Sequence, residues 1–140
     1  MNEKLLSEMI KTALEMRDRA YVPYSHFSVG AGLLGEDGKI YGGCNIENAA
    51  FTPGICAERT AFSKAVSEGV HKFTALAVAG GAQGKAPSDF CPPCGVCRQV
   101  LAEFCGPDFP IYLVKSENEV KKVSMKEILP LAFGPGMLEN

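Results

Sequence analysis

The 140-residue sequence has no stripe of Lys or Arg, no internal repeat, no low-complexity segment and no apolar run near the ~18 residues needed to cross a bilayer. Each absence removes a class of function. With 14 basic and 16 acidic side chains the formal charge is -2, so nothing along the chain follows a phosphate backbone. That argues against a nucleic-acid partner, because phosphate neutralisation supplies most of the affinity in such complexes. The stretch from Met1 through Lys4 and Glu8 to Arg17 mixes charges with apolar residues and contains no uninterrupted signal-peptide core. The expectation is a cytoplasmic protein that works on a small molecule, with neither membrane nor nucleic acid as partner. In a reducing compartment its six cysteines read as metal ligands or plain thiols rather than disulfides.

What is present fits one layered α/β domain over residues 1–140, since strand-like and helix-like segments alternate. Leu5, Met9, Ala13 and Met16 recur at helical spacing and predict a first helix ending before Val22-Pro23. Phe27 to Leu34 and Lys39 to Gly42 flank Glu36-Asp37-Gly38, a hairpin signature. Ala57, Ala61, Phe62, Ala65 and Val66 mark a second helix closed by Gly69. Phe73 to Ala79 reads as a buried strand stopped by Gly80-Gly81, followed by a Gly, Pro and Ser-rich loop to Pro93. Val96, Val100, Leu101 and Phe104 trace a third helix, Ile111 to Val114 and Val120 to Val123 two further strands, and Ser124 the cap of a last helical turn through Leu129.

Three of the cysteines fall at helix starts, where unpaired amides and the positive dipole end stabilise thiolates. Cys94 and Cys97 share one turn of the third helix, so both sulfurs can face a single ion. Cys56 stands just before the second helix. On a regular helix Cys56 and Glu58 would diverge by about 200°, so Cys56 belongs at the cap or first turn, where the backbone can bend to aim both groups at one point. Three protein ligands leave a tetrahedral zinc with one open position, and Glu58 is the natural proton carrier beside it.

Cys56-Ala57-Glu58 followed by Pro93-Cys94-Gly95-Val96-Cys97 resembles the zinc deaminase signature, with Cys in place of His as first ligand. The longer runs from Cys56 to Ala61 and from Pro93 to Gln99 are similar to the homotetrameric cytidine deaminases in particular. So are Phe27-Ser28-Val29-Gly30-Ala31, Asn45-Ile46-Glu47-Asn48-Ala49 and Ala132-Phe133-Gly134-Pro135. The resemblance spans nearly the whole chain. It implies an α/β/α three-layer sandwich with a five-stranded mixed sheet, one Zn²⁺ per subunit held by Cys56, Cys94 and Cys97, and conversion of cytidine and deoxycytidine to uridine and deoxyuridine. It further implies Glu58 as the catalytic acid and base, Phe27 against the pyrimidine, the Ala57 backbone at the base O2, and Asn45 and Glu47 on ribose hydroxyls. The same resemblance implies that Arg59 hydrogen-bonds the cysteine sulfurs, that Gln99 supports the same centre, and that Phe133 closes a neighbouring subunit's pocket, which would make a homotetramer necessary. Phe51 departs from the pattern, because many relatives carry Tyr there and its hydroxyl is missing here.

Other readings stay open on the residues alone. Cys91, Cys94 and Cys97 form part of a ferredoxin-like run, although Cys105 falls too late to complete it. Cys91, Cys44, Cys105 or His71 could close a structural zinc site with a fourth ligand, whereas His26 and His71 match no ligand position of the deaminase pattern. An editing deaminase would share the metal site but needs a basic channel. A related small-substrate enzyme acting on a nucleotide or a modified nucleoside is the nearest rival.

Overall fold

The computed structural model describes residues 1–139. In chain order it contains α1 (Glu3–Met16), β1 (Phe27–Gly35), β2 (Ile40–Cys44), α2 (Ala57–Ser67) and β3 (Phe73–Ala82). Then follow α3 (Gly95–Phe104), β4 (Pro110–Ser116), β5 (Glu119–Ser124) and α4 (Met125–Ile128). The Asn2 side chain caps α1 by accepting from the Leu5 amide at 2.8 Å. Ser124 and Glu127 form a reciprocal capping box that starts α4, as the sequence suggests.

The strands join in the order β2-β1-β3-β4-β5. All neighbours are antiparallel except β3 and β4, which pair in parallel. A parallel pair needs a crossover, and α3 supplies it. Side chains alternate across the sheet with period two. Ala31, Leu33, Leu76, Val78, Ile111 and Leu113 pack with Ala61, Phe62 and Leu101 of α2 and α3 on one face. Leu34, Ala75, Ala77, Ala79, Tyr112 and Val114 pack with Met9, Ile10 and Ala13 of α1 on the other. The result is the expected α/β/α sandwich around a five-stranded mixed sheet.

Close approach of α2 to the sheet sets the height of its first turn. A Cβ at Gly43 would stand 2.6 Å from the Ala61 nitrogen and closer still to the Ala57 carbonyl oxygen. Only glycine lets β2 and the start of α2 meet this tightly.

The sequence expectation fails at one strand end. Gly80 and Gly81 do not stop β3, which continues to Ala82 with Gly80 opposite Val29, Gly81 opposite Ser28 and Ala82 opposite Phe27. Backbone pairing requires no side chain, and the two glycines leave room for loop residues over the strand. A Cβ at Gly81 would stand 2.9 Å from Pro87, and one at Gly80 2.7 Å from the Cys91 sulfur. The last strand is longer than its apolar residues suggest, running from Glu119 to Ser124 as an edge strand whose Lys121 and Lys122 are exposed.

Candidate metal centre

Cys56 and Cys94 are the cap residues of α2 and α3, both with extended backbone (φ -80°, ψ 158° and φ -69°, ψ 170°) and neither with a side-chain cap bond. The extended cap resolves the angular conflict between Cys56 and Glu58, because Cys56 lies off the regular helix. Cys97 is in the first turn of α3 and buried, Cys94 is exposed, and Cys56 lies between these extremes. The sulfurs of Cys56 and Cys94 are 3.7 Å apart and those of Cys94 and Cys97 3.6 Å apart. All three lie within 4.8 Å of one another, and among the described residues no other His, Cys, Asp or Glu joins the group.

Glu58, the second residue of α2, is only 4% exposed. Burial pushes its carboxyl up to about 7, reinforced by the charge of Cys56 and partly offset by a hydrogen bond with Cys97. The thiols share negative charge unequally. The hydrogen bond from Cys97 brings Cys56 down to about 5, while the same bond and burial hold Cys97 well above the ordinary thiol range. A dication among the sulfurs favours their thiolate forms. Arg59 adds positive charge: its Nη2 donates to the Cys56 sulfur at 3.6 Å, which raises the guanidinium's proton affinity. Its Nε is buried without a hydrogen-bond partner among the described residues.

The donor set fits zinc. Tetrahedral zinc with sulfur at about 2.3 Å places its sulfurs about 3.8 Å apart, close to the 3.6 and 3.7 Å found between these thiols. Three soft donors, with no fourth side chain among the described residues, correspond to a site that keeps one position for a non-protein ligand.

Residues 3–113 match the family model described as the cytidine and deoxycytidylate deaminase zinc-binding region. The chain belongs to this deaminase family. A cytidine deaminase of Sporosarcina psychrophila is 51% identical over 131 residues, covering 94% of this chain and 90% of the relative. A cytidine deaminase of Halalkalibacterium halodurans is 48% identical, covering 89% of this chain and 91% of the relative. The crystal structure of cytidine deaminase from Burkholderia pseudomallei aligns with a TM-score of 0.82 at 38% identity, covering 95% of this chain and all of that one. Zinc is therefore the cofactor of this deaminase, and Cys56, Cys94 and Cys97 are the group able to hold it.

The other residues singled out in this deaminase's sequence are only partly gathered. A cavity of ≈ 560 Å³ beside the cysteines is lined by Asn45, Glu47, Cys56 and Arg59, together with Tyr24 and Phe51 among others. Phe27, Ala57, Glu58 and Phe133 do not line it. Asn45 is partly occupied: Oδ1 accepts from the Val29 amide at 2.9 Å and Nδ2 donates to the Phe27 carbonyl at 2.9 Å. One Glu47 oxygen accepts from the amides of Tyr24 (3.0 Å) and Ser25 (3.1 Å). These contacts, led by the Ser25 side chain, hold the Glu47 carboxyl below its usual range. Gln99 does not turn its amide toward the sulfurs. Being exposed on α3, it donates from Nε2 to the Phe133 carbonyl at 2.8 Å and so ties down the carboxy-terminal segment. Phe133 itself is 57% exposed. Phe51 is more so, with φ 62° and its ring edge-on to Tyr24 at 5.9 Å.

Two arginines were not legible as site supports. Arg98, next to Cys97, bonds the carbonyls of Pro93 and Ile128, each at 2.7 Å, and thus joins the Cys94 loop to the end of α4. Its place within the Pro93 to Gln99 run is the only sequence signal. Arg17 bonds the carbonyls of Ser28, Ala82 and Lys85 and clamps the start of the loop leading to Cys94. Nothing in its local sequence marks that role.

Proposed function

We propose that this chain, as a single domain over residues 1–140, hydrolyses cytidine and deoxycytidine to uridine and deoxyuridine with release of ammonia. The observation that carries the reading is a cluster of three sulfurs with no fourth protein ligand among the described residues, next to the buried carboxyl of Glu58. Zinc bound by Cys56, Cys94 and Cys97 supplies Lewis acidity and lowers the proton affinity of water in the site. Glu58 would take one proton of the attacking water and deliver it to N3 of the pyrimidine as the oxygen bonds to C4, then pass the second proton of that oxygen to the amino group, so that the C4–N bond breaks, ammonia leaves and the ring keeps its N3 proton. A carboxyl buried beside the sulfurs is placed for both uptake and return.

The Ala57 amide, first in α2 and without a partner inside the helix, is assigned to the base O2. Phe27, 43% exposed, lies against the ring face. The unused Glu47 oxygen and the remaining Asn45 N–H take ribose hydroxyls. Phe133 reaches a neighbouring subunit's pocket, held in place by Gln99, in a cytoplasmic homotetramer. Sedimentation velocity should show a tetramer at assay concentration, and a fully active monomer contradicts the shared pocket.

A nucleoside is favoured over a nucleotide because the cavity beside the cysteines contains a single cation, Arg59, already donating to Cys56, and one carboxylate, Glu47. A phosphate finds no free positive partner there. Ammonia release from cytidine, compared with the 5'-monophosphate and with single-stranded DNA, tests this. Preference for either of the latter overturns it.

Three thiolates and Zn²⁺ sum to a charge of about -1, so a donor to sulfur restores Lewis acidity. Arg59→Ala is expected to lower kcat about tenfold with zinc content nearly unchanged. Metal analysis with steady-state kinetics checks this, and equal turnover per bound zinc refutes it.

A further inference from the structure

Cys91 is the cysteine nearest in sequence to the metal ligands that stays outside their cluster. It is half-buried, and burial followed by the charges of Glu58 and Cys56 pushes its thiol up to about 11. Its neighbours explain its position. A Cβ at Gly80 would stand 2.7 Å from the Cys91 sulfur, 2.9 Å from the Cys91 Cβ and 3.1 Å from Cε2 of Phe27. The thiol and the edge of the aromatic ring therefore converge on the space that glycine leaves open on β3.

The backbone of Phe27 is pinned on both sides, its amide donating to Ser25 Oγ at 3.0 Å and its carbonyl accepting from Asn45 at 2.9 Å. Neither bond sets the direction of the ring, which is 43% exposed. Packing against its inner edge does that, and there Cε2 of the ring and the Cys91 thiol meet over Gly80, at 3.1 and 2.7 Å from the place a Cβ would take.

We infer that Cys91 is a positioning residue: seated on Gly80, its side chain is the backstop that fixes the Phe27 ring where the pyrimidine binds. This rests on the reading of the chain as a cytidine deaminase with Phe27 at the base. It assigns Cys91 a role in substrate binding, with no part in holding metal or moving protons. Gly80 is required for lack of a side chain alone, since it is not among the glycines with positive φ.

The experiment is a steric swap with cytidine as substrate, measuring kcat, KM, zinc content and thermal unfolding. Gly80→Ala drives a methyl group into the thiol and ring, and is expected to raise KM about tenfold with kcat within about twofold and zinc unchanged. Cys91→Gly in the Gly80→Ala background removes both of the closer clashing atoms and is expected to restore KM to within about threefold of the parent. If Gly80→Ala does not fold, Cys91→Ala alone decides: KM about threefold higher at constant kcat and zinc supports the backstop, and an unchanged KM overturns it. An unaltered KM in Gly80→Ala, no recovery in the double variant, or loss of zinc in step with activity each overturns it too. Parent protein that does not turn over cytidine sinks the functional reading and this inference with it. Active parent protein with KM insensitive to the swap sinks this inference only.

Discussion

Glu58→Gln is expected to lower kcat for cytidine by about 10³-fold while zinc content stays at the parent level. The substitution keeps size and burial but leaves an amide that neither accepts nor returns a proton at neutral pH. Glu58 lies outside the group of ligating sulfurs, so its loss leaves the metal donors intact. It is 4% exposed, and few solvent routes replace the missing proton path. Steady-state kinetics beside metal analysis provide the check. A variant that keeps more than about one tenth of parent turnover removes Glu58 from the chemistry.

Cys97→Ser is expected to lose zinc on dialysis and to fall below about 1% of parent turnover. Cys97 is the most deeply buried of the three sulfurs, 1% exposed, and its neighbour Cys94 stands 3.6 Å away. A hydroxyl there is a harder, poorer zinc ligand and cannot reach its metal from elsewhere. Zinc content after dialysis separates this from general unfolding when measured with the thermal transition. Full zinc and full turnover in Cys97→Ser would remove Cys97 from the ligand set.

Much of this architecture is local and therefore legible in sequence. Cys94 and Cys97 share a single turn, so their convergence follows from helical geometry. Cys56 required one further step: an extended cap rather than a helical residue, because a regular helix would turn Glu58 away from it. The nearly continuous apolar run from Phe73 to Ala79 likewise reads as a buried strand, and helices cover both of its faces.

What escaped the sequence depends on contacts between distant segments. A Gly-Gly pair reads equally as a strand stop or as a strand surface under close cover, and the latter holds at Gly80 and Gly81 because Cys91 and Pro87 come over them from the loop. The Gln99 side chain sits two residues beyond a ligand, yet its partner is a carbonyl 34 residues away. No periodicity encodes such a pairing. Asn45 and Glu47 show the same ambiguity from the opposite side: polar residues expected at a ligand also brace the entry to β1.

The account stands on three sulfurs and one position left to a non-protein ligand. Zinc K-edge X-ray absorption of the loaded protein, recorded beside its metal content, reads that directly. The expected first shell is three sulfurs and one light atom per zinc, with one zinc per chain; a fourth sulfur, or the signature of imidazole, would contradict it.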